Sequence, residues 1–158
     1  MASPDYQVRP VTESDRSQWN PLWQGYLEFY QSNLADEITD LLWQRIMYPT
    51  HEIQCRVAAR DDGKLVGMVH FFPHAHTWYA QPVCYLNDLF VLPGNRRAGV
   101  GKLLIDTVVD VARQQGWAEV YWQTQSHNSV ARSLYDRITG GTDGFVIYAI
   151  DMNNQAAR

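Results

Sequence analysis

The chain has 158 residues, 46% hydrophobic and 13% aromatic, which is enough for one domain with a single buried core. No apolar run approaches the roughly 20 residues of a membrane-spanning helix, and the N-terminus lacks the charged start and apolar centre of a secretory signal. The net charge of −4 argues against a nucleic-acid-binding surface, because such surfaces are basic. Cys55 and Cys84 form no C-x-x-C pair and predict free thiols. We therefore expect a cytoplasmic protein with no nucleic-acid or membrane partner.

One strand followed by two helices is predicted along the first part of the chain. Residues 6–11 alternate in polarity and predict a strand, and the acidic segment 12–15 marks the entry to a helix. That helix carries a broad aromatic face, with Pro21 in its first turn or at a kink. A second helix is predicted over 36–48, and Pro49 ends it. The aromatic residues of the first helix are Trp19, Trp23, Tyr26, Phe29 and Tyr30.

The second part of the chain predicts a strand–helix–strand unit after a hairpin. Strands over 54–60 and 65–72 flank the turn at 61–63. An apolar run at 85–91 predicts the next strand, and helical spacing then continues to a final Gly116. The remaining predicted elements are a strand over 119–123, a helix over 128–138 and a last strand over 145–152. This order predicts a single α/β domain, residues 1–158, with a mixed sheet, a parallel crossover and helices on both faces.

The junction between the strand at 85–91 and the following helix has the pattern of a phosphate-binding turn. The first N–H groups of a helix have no partner within it and carry partial positive charge, which favours an anion there. Gly99 and Gly101 keep side chains away from such a ligand, and Arg96 and Arg97 add positive charge.

Three phosphate-binding patterns, and one ordinary alternative, compete for this turn. The dinucleotide fingerprint fails because position 104 is Leu, and the P-loop fails because Val100 stands where Lys is required. The pattern Arg-x-x-Gly-x-Gly fits residues 96–101 without a mismatch. An ordinary strand-to-helix turn is the alternative.

A second pattern lies about thirty residues downstream. Asn128 and Tyr135 are seven residues apart, close to two turns of a helix, so both fall on one face. Taken separately, a helix cap and a core tyrosine are the more ordinary explanations of these two residues. Together with the turn at 96–101, they resemble the GNAT superfamily of N-acetyltransferases over nearly the whole chain. Within it, the segments YLNDLFV, RRAGVG and YWQTQSHNSVARSLY look most like the diamine/polyamine and histone acetyltransferase branch.

The resemblance implies a GNAT-like fold with about six or seven strands, and acetyl-CoA as co-substrate without a metal. It implies that Tyr135 protonates the departing thiolate. The backbone N–H of Leu89 or Phe90 would polarise the thioester carbonyl, and the pantetheine would pair with the strand edge. The coenzyme-binding residues so implied are Leu89, Phe90, Val91, Arg96, Arg97, Ala98, Gly99, Val100, Gly101, Lys102 and Asn128.

The acceptor implied is a primary amine that attacks the thioester directly in a ternary complex: a polyamine, small amine, amino acid or protein lysine. Tyr26, Glu28, Tyr30 and Asn87 are candidates to bind it, although an aromatic stripe is also typical of a core. Asn87 stands where diamine acetyltransferases tend to carry a carboxylate, and strand alternation places Asp88 on the opposite face. The general base stays open between His70, His127 and Asp88.

Two further expectations accompany this interpretation. The resemblance implies a homodimer. A non-catalytic acyl-CoA-binding or sensing module, or a transferase of another acyl group, is the alternative function; the presence of Tyr135 favours an enzyme, because a binder needs no acid for a thiolate.

Overall fold

The computed structural model describes residues 5–153, which fall into two compact units, one within Met1–Gln123 and one within Thr124–Arg158. The strands of the first unit are β1 (Tyr6–Pro10), β2 (Gln54–Arg60), β3 (Leu65–His74), β4 (Val83–Val91) and β5 (Val120–Tyr121). Its helices are α1 (Arg16–Phe29), α2 (Asp36–Met47) and α3 (Val100–Gln115). The described part of the second unit contains α4 (Ser129–Thr139).

The strands of the first unit form one mixed sheet in the order β1-β2-β3-β4-β5. The first three pairings are antiparallel, and β4 pairs with β5 in parallel after the chain passes through α3. The predicted mixed sheet and strand–helix–strand unit are therefore confirmed. The hairpin turn between β2 and β3 is also as predicted, with Gly63 in the left-handed region at φ +80°.

Helices cover both faces of this sheet. Met68 packs into the core that contains Trp19 of α1, whereas a Cβ on Gly67 would lie 3.1 Å from Leu104 of α3. Successive side chains of a strand point to opposite faces, so α1 and α3 lie on opposite sides of β3. The absence of a side chain at Gly67 lets α3 lie close to the sheet.

The core on the α1 side contains three tryptophans in contact. The Trp19 and Trp23 rings stack with centroids 6.1 Å apart, and Trp43 of α2 tilts against Trp19 at 4.9 Å. All three are buried. Pro21 lies inside α1, beyond its first turn, on the exposed side of the helix.

The entry to α1 is fixed by a hydrogen-bonded carboxylate. Asp15 accepts from the Thr12 backbone N–H at 2.8 Å and from two nitrogens of Arg9 at 2.7 and 2.9 Å. The Arg9 hydrogen bonds lower the pKa of Asp15 to about 2. The predicted acidic helix entry is thus a short 3-10 turn at Glu13–Asp15 that leads into α1.

The described residues contain five strands, not six or seven. The missing strand is the one predicted over 145–152, which has no ladder partner in the structure. Its apolar side chains are exposed, Tyr148 by 93%. A strand forms only where a neighbouring strand hydrogen-bonds to its N–H and C=O groups. An apolar run in the sequence does not show which strand that neighbour would be. The exposed apolar residues of this segment are Phe145, Val146, Ile147, Tyr148, Ile150 and Met152.

Candidate active site

The turn between β4 and α3 leaves helix N–H groups without capping. Residues Pro93–Ala98 form a 3-10 helix, and Gly99 then adopts φ +78° as the N-cap of α3, where it supplies no side-chain hydrogen bond. The Leu103 N–H bonds to the Gly99 carbonyl at 3.0 Å. The N–H groups of residues 100–102 therefore precede the first helical hydrogen bond and remain open to an anion.

The two arginines of this turn have different surroundings. Arg96 donates its Nε to the Val91 carbonyl at 2.9 Å, and its guanidinium lies over the rings of Phe29 and Phe90 at 5.7 and 5.6 Å. The Arg97 side chain makes no hydrogen bond or ion pair with any residue in 5–153. Arg96 thus anchors the turn, whereas Arg97 is the cation available to a ligand.

β4 has an open edge next to this turn. Its pairing with β5 covers only Cys84↔Val120 and Tyr85↔Tyr121, whereas its pairing with β3 continues to Val91. Within the part of the chain that the structure describes, residues 86–91 therefore have a strand on one side only. Backbone groups at such an edge can pair with an extended ligand.

A buried polar chain lies beside this edge, formed by Trp19, His70 and Asp88. The Trp19 Nε1–H donates to His70 Nε2 at 3.1 Å, and His70 Nδ1 lies 2.9 Å from Asp88 Oδ2. An indole N–H can only donate, so Nε2 accepts and the proton of a neutral ring is on Nδ1, which donates to Asp88. All three residues are at most 6% exposed.

Asp88 is further held by Asn87 and Tyr26. Asn87 Nδ2 donates to Asp88 Oδ1 at 2.9 Å. Burial alone would raise the pKa of Asp88, but the hydrogen bonds from His70, Asn87 and Tyr26 outweigh burial and hold this pKa below its usual range. Burial and the neighbouring charge of Asp88 raise the pKa of Tyr26, so the Tyr26 hydroxyl stays protonated.

The expectation that Asn87 and Asp88 lie on opposite faces is wrong. The register shifts from His70↔Asp88 to Phe71↔Leu86, which leaves Asn87 as an extra residue on β4. A bulge of this kind breaks the strict alternation of side chains and allows the two to meet.

The other predicted acceptor residues lie along α1 and just after it. Tyr26 stacks on Trp23 with centroids 5.4 Å apart, and Tyr30 tilts against Tyr26 at 4.9 Å. Both tyrosines are half-buried. Glu28 is exposed, and among residues 5–153 its side chain makes no hydrogen bond or ion pair. The structure therefore groups Tyr26 and Tyr30 near Asn87, with Glu28 outside the cluster.

The Trp19–His70–Asp88 chain was not anticipated as a unit, although His70 and Asp88 each appeared as a candidate base. The signal was present: a His within LVGMVHFF and an Asp within YLNDLFV are ionisable residues in apolar strands, and buried ionisable groups need partners. Cys55 pairs in register with His70 and is also buried, at 3% exposure. Its thiol is therefore closed to a ligand.

The loop after β3 lines a small pocket of about 210 Å³. His74 Nε2 accepts a hydrogen bond from the Tyr121 hydroxyl at 2.6 Å, since its Nδ1 donates to the Ala75 carbonyl. Among residues 5–153, no three His, Cys, Asp or Glu side chains are grouped closely enough to hold a metal ion. The pocket is lined by Glu52, Pro73, His74, Ala75, His76, Tyr79, Ala80, Gln81 and Pro82.

In the second unit, Asn128 is the N-cap of α4. Its side chain accepts from the Ala131 N–H at 3.4 Å and donates from Nδ2 to Thr124 Oγ1 at 3.3 Å. Tyr135 is half-buried on the same helix, two turns further on. The predicted helix and the predicted spacing along it are confirmed.

Comparisons with known proteins point to the same family as the sequence resemblance. The family model described as "Acetyltransferase (GNAT) family" matches residues 18–140. The D-amino-acid N-acetyltransferase of Saccharomyces cerevisiae is 31% identical over 137 residues, covering 86% of this chain and 85% of the relative. Aminoglycoside N(6')-acetyltransferase type 1 of Klebsiella aerogenes is 30% identical over 135 residues, covering 81% and 84%.

A solved structure extends the likeness to the fold. An aminoglycoside N-acetyltransferase in complex with CoA superposes with a TM-score of 0.81 at 19% identity, covering 96% of this chain and 97% of that chain. No helix within the described residues is long and apolar enough to span a membrane. The chain belongs to the acetyltransferase (GNAT) family, and the prediction of an acetyl-CoA-dependent N-acetyltransferase is confirmed at the level of that family.

Proposed function

We propose that this protein transfers the acetyl group of acetyl-CoA to a primary amine of a small molecule, by direct attack in a ternary complex. The observation that carries the proposal is the open edge of β4 leading into the uncapped start of α3. The names of the relatives, which act on D-amino acids and aminoglycosides, support a small-molecule acceptor. The diamine/polyamine and histone branch, with protein lysine as acceptor, remains a prediction.

The coenzyme is proposed to bind along β4 and at the start of α3. The pantetheine amides pair with the edge formed by Leu89, Phe90 and Val91, as an added strand does. The pyrophosphate lies against the N–H groups of residues 97–102, where Arg97 supplies charge and Arg96 holds the turn. Asn128 is a further coenzyme-binding residue that the resemblance implies.

The proposed chemistry moves one acyl group and two protons. The amine nitrogen attacks the thioester carbonyl, and the backbone N–H of Leu89 or Phe90 stabilises the oxyanion. The C–N bond forms and the C–S bond breaks. Tyr135 protonates the leaving thiolate, and the amine loses its proton to a base or to water.

The acceptor is proposed to lie where α1 meets the β4 bulge. Tyr26, Tyr30 and Asn87 line this place, with Glu28 as an exposed carboxylate at its rim. We also propose a homodimer, for which the exposed Trp78 and Tyr79 offer apolar surface; sedimentation velocity of the intact chain tests this. The two buried free cysteines support a reducing, cytoplasmic location.

The testing experiment measures thiol release from acetyl-CoA and coenzyme binding in parallel. The panel holds D- and L-amino acids, an aminoglycoside, a diamine and a lysine peptide. Turnover with one small amine supports the proposal, whereas binding without release for any amine supports the acyl-CoA-binding module instead. Absence of coenzyme binding contradicts both.

Tyr135→Phe tests the assigned acid. We expect kcat to fall by about 10²-fold with unchanged acetyl-CoA affinity, because one general acid contributes about that much. Tyr148→Phe, at a 93% exposed position in the same unit, is the matched control and should leave kcat unchanged. Equal kcat values in wild type and Tyr135→Phe contradict the role.

A further inference from the structure

Asn87 connects solvent to the buried Trp19–His70–Asp88 chain. It is the extra residue of the β4 bulge, and its side chain is exposed. Its Nδ2 donates to Asp88 Oδ1 at 2.9 Å. An ionised carboxylate only accepts hydrogen bonds, so this contact identifies the nitrogen of the amide and leaves the Asn87 oxygen turned away from Asp88.

The hydrogen bonds that hold the Asp88 carboxylate in one orientation also fix the orientation of the Asn87 amide. His70 occupies its Oδ2 and Asn87 its Oδ1, while Trp19 holds the other side of the His70 ring. A buried carboxylate with a donor on each oxygen has no low-energy alternative orientation. Its lowered pKa and occupied oxygens also make Asp88 a poor acceptor for the amine proton.

We propose that the Asn87 amide oxygen binds the nitrogen of the acceptor amine as a hydrogen-bond acceptor, and that Asp88 is the residue that positions it; this rests on the proposed amine acetyltransferase function. A carboxylate at this place would stabilise the ammonium form of the acceptor, which cannot attack. The uncharged amide oxygen accepts an N–H without that penalty. The site therefore suits a primary amine recognised through its N–H groups rather than through its charge.

Steady-state kinetics of Asn87→Ala, Asp88→Asn and the double variant test this, with the amine that the wild type turns over best. Asn87→Ala should raise the KM of the amine about five- to tenfold, the worth of one hydrogen bond, with the acetyl-CoA KM unchanged. Asp88→Asn should raise the amine KM severalfold in the wild-type background. It should have no further effect in the Asn87→Ala background, because Asp88 acts through Asn87.

Thr39→Val is the matched control for a loss of buried polar packing. It removes the Trp23 Nε1–H to Thr39 Oγ1 hydrogen bond, 3.1 Å long and in the same core, and should lower stability without changing the amine KM. Should Asp88→Asn fold poorly, Trp19→Phe weakens the far end of the chain instead. Trp19→Phe should raise the amine KM by less than Asp88→Asn does, and it should have no effect in the Asn87→Ala background.

The outcomes separate this inference from the function on which it rests. Thiol release by the wild type, with independent and multiplicative effects of the two variants on the amine KM, overturns the positioning role alone. A rise in the amine KM for Thr39→Val also overturns it, since stability would then explain the effect. Absence of release by the wild type with every amine is a failure of the proposed function.

Discussion

A single carboxylate, Asp15, closes the 3-10 turn that leads into α1. It accepts hydrogen bonds from Arg9 and from the backbone N–H and the hydroxyl of Thr12. The carboxylate itself is 6% exposed, whereas the Arg9 side chain is 34% exposed, so water screens the pair in part. Asp15 therefore stabilises the fold by less than its lowered pKa of about 2 implies on its own.

We expect Asp15→Asn to cost about 1 to 2 kcal/mol of unfolding free energy at neutral pH. The folded pKa of about 2 is below the unfolded value near 3.9, so the contribution is complete above about pH 4 and is lost as the pH falls toward 2. Urea unfolding at several pH values measures this. The difference between wild type and variant should shrink over that window.

Asp110→Asn is the control for this series, because Asp110 forms an exposed ion pair with Arg113 within one helix. It should leave the unfolding free energy unchanged at every pH. A wild-type advantage over Asp15→Asn that stays constant from pH 7 to pH 2 is incompatible with the assigned ion pair.

At the scale of elements, the two arginines of the turn before α3 have different roles, which the sequence did not distinguish. Arg96 donates to the Val91 carbonyl and lies over two phenylalanine rings, whereas the Arg97 side chain makes no such contact within residues 5–153. We expect Arg97→Ala to weaken acetyl-CoA binding roughly fivefold, with a smaller dependence on salt and no change in Tm. Arg96→Ala should lower both coenzyme affinity and Tm. Calorimetric titration at two salt concentrations, with thermal unfolding, distinguishes them.

An Arg97→Ala variant that binds acetyl-CoA like the wild type would show that the N–H groups of α3 suffice for the phosphates. A loss of Tm in Arg97→Ala equal to that in Arg96→Ala would show that the two side chains share one structural role.

Elements with local signals were predictable from sequence. β2 matches its predicted bounds, and α3 ends at Gly116 with φ +70°, because turn glycines and helical spacing are local properties. The β4 bulge and the chain from Trp19 to Asp88 were not predictable in this way. They depend on which residues of α1, β3 and β4 come together, and only the register between strands decides that. The prediction of a strand over 145–152 was wrong for the same reason.

At the scale of the whole molecule, a single domain over residues 1–158 remains a prediction. All six tryptophans lie before residue 124, so their fluorescence reports on the first unit alone. Hydrogen exchange of the α4 backbone amides reports on the second unit. We expect urea transitions followed by tryptophan fluorescence and by hydrogen exchange in α4 to have the same midpoint, because one domain unfolds in one step. Exchange in α4 at lower urea than the fluorescence change would instead indicate two domains.

The open edge of β4 has a consequence for the handling of the protein. Among residues 5–153, the backbone along 86–91 has no strand partner on one side, and such an edge is a template on which an extended chain can add, including another molecule of the same protein. A ligand that pairs with this edge removes the template. If the coenzyme binds along this edge as proposed, we expect the empty protein to self-associate at a lower concentration than the coenzyme-bound protein.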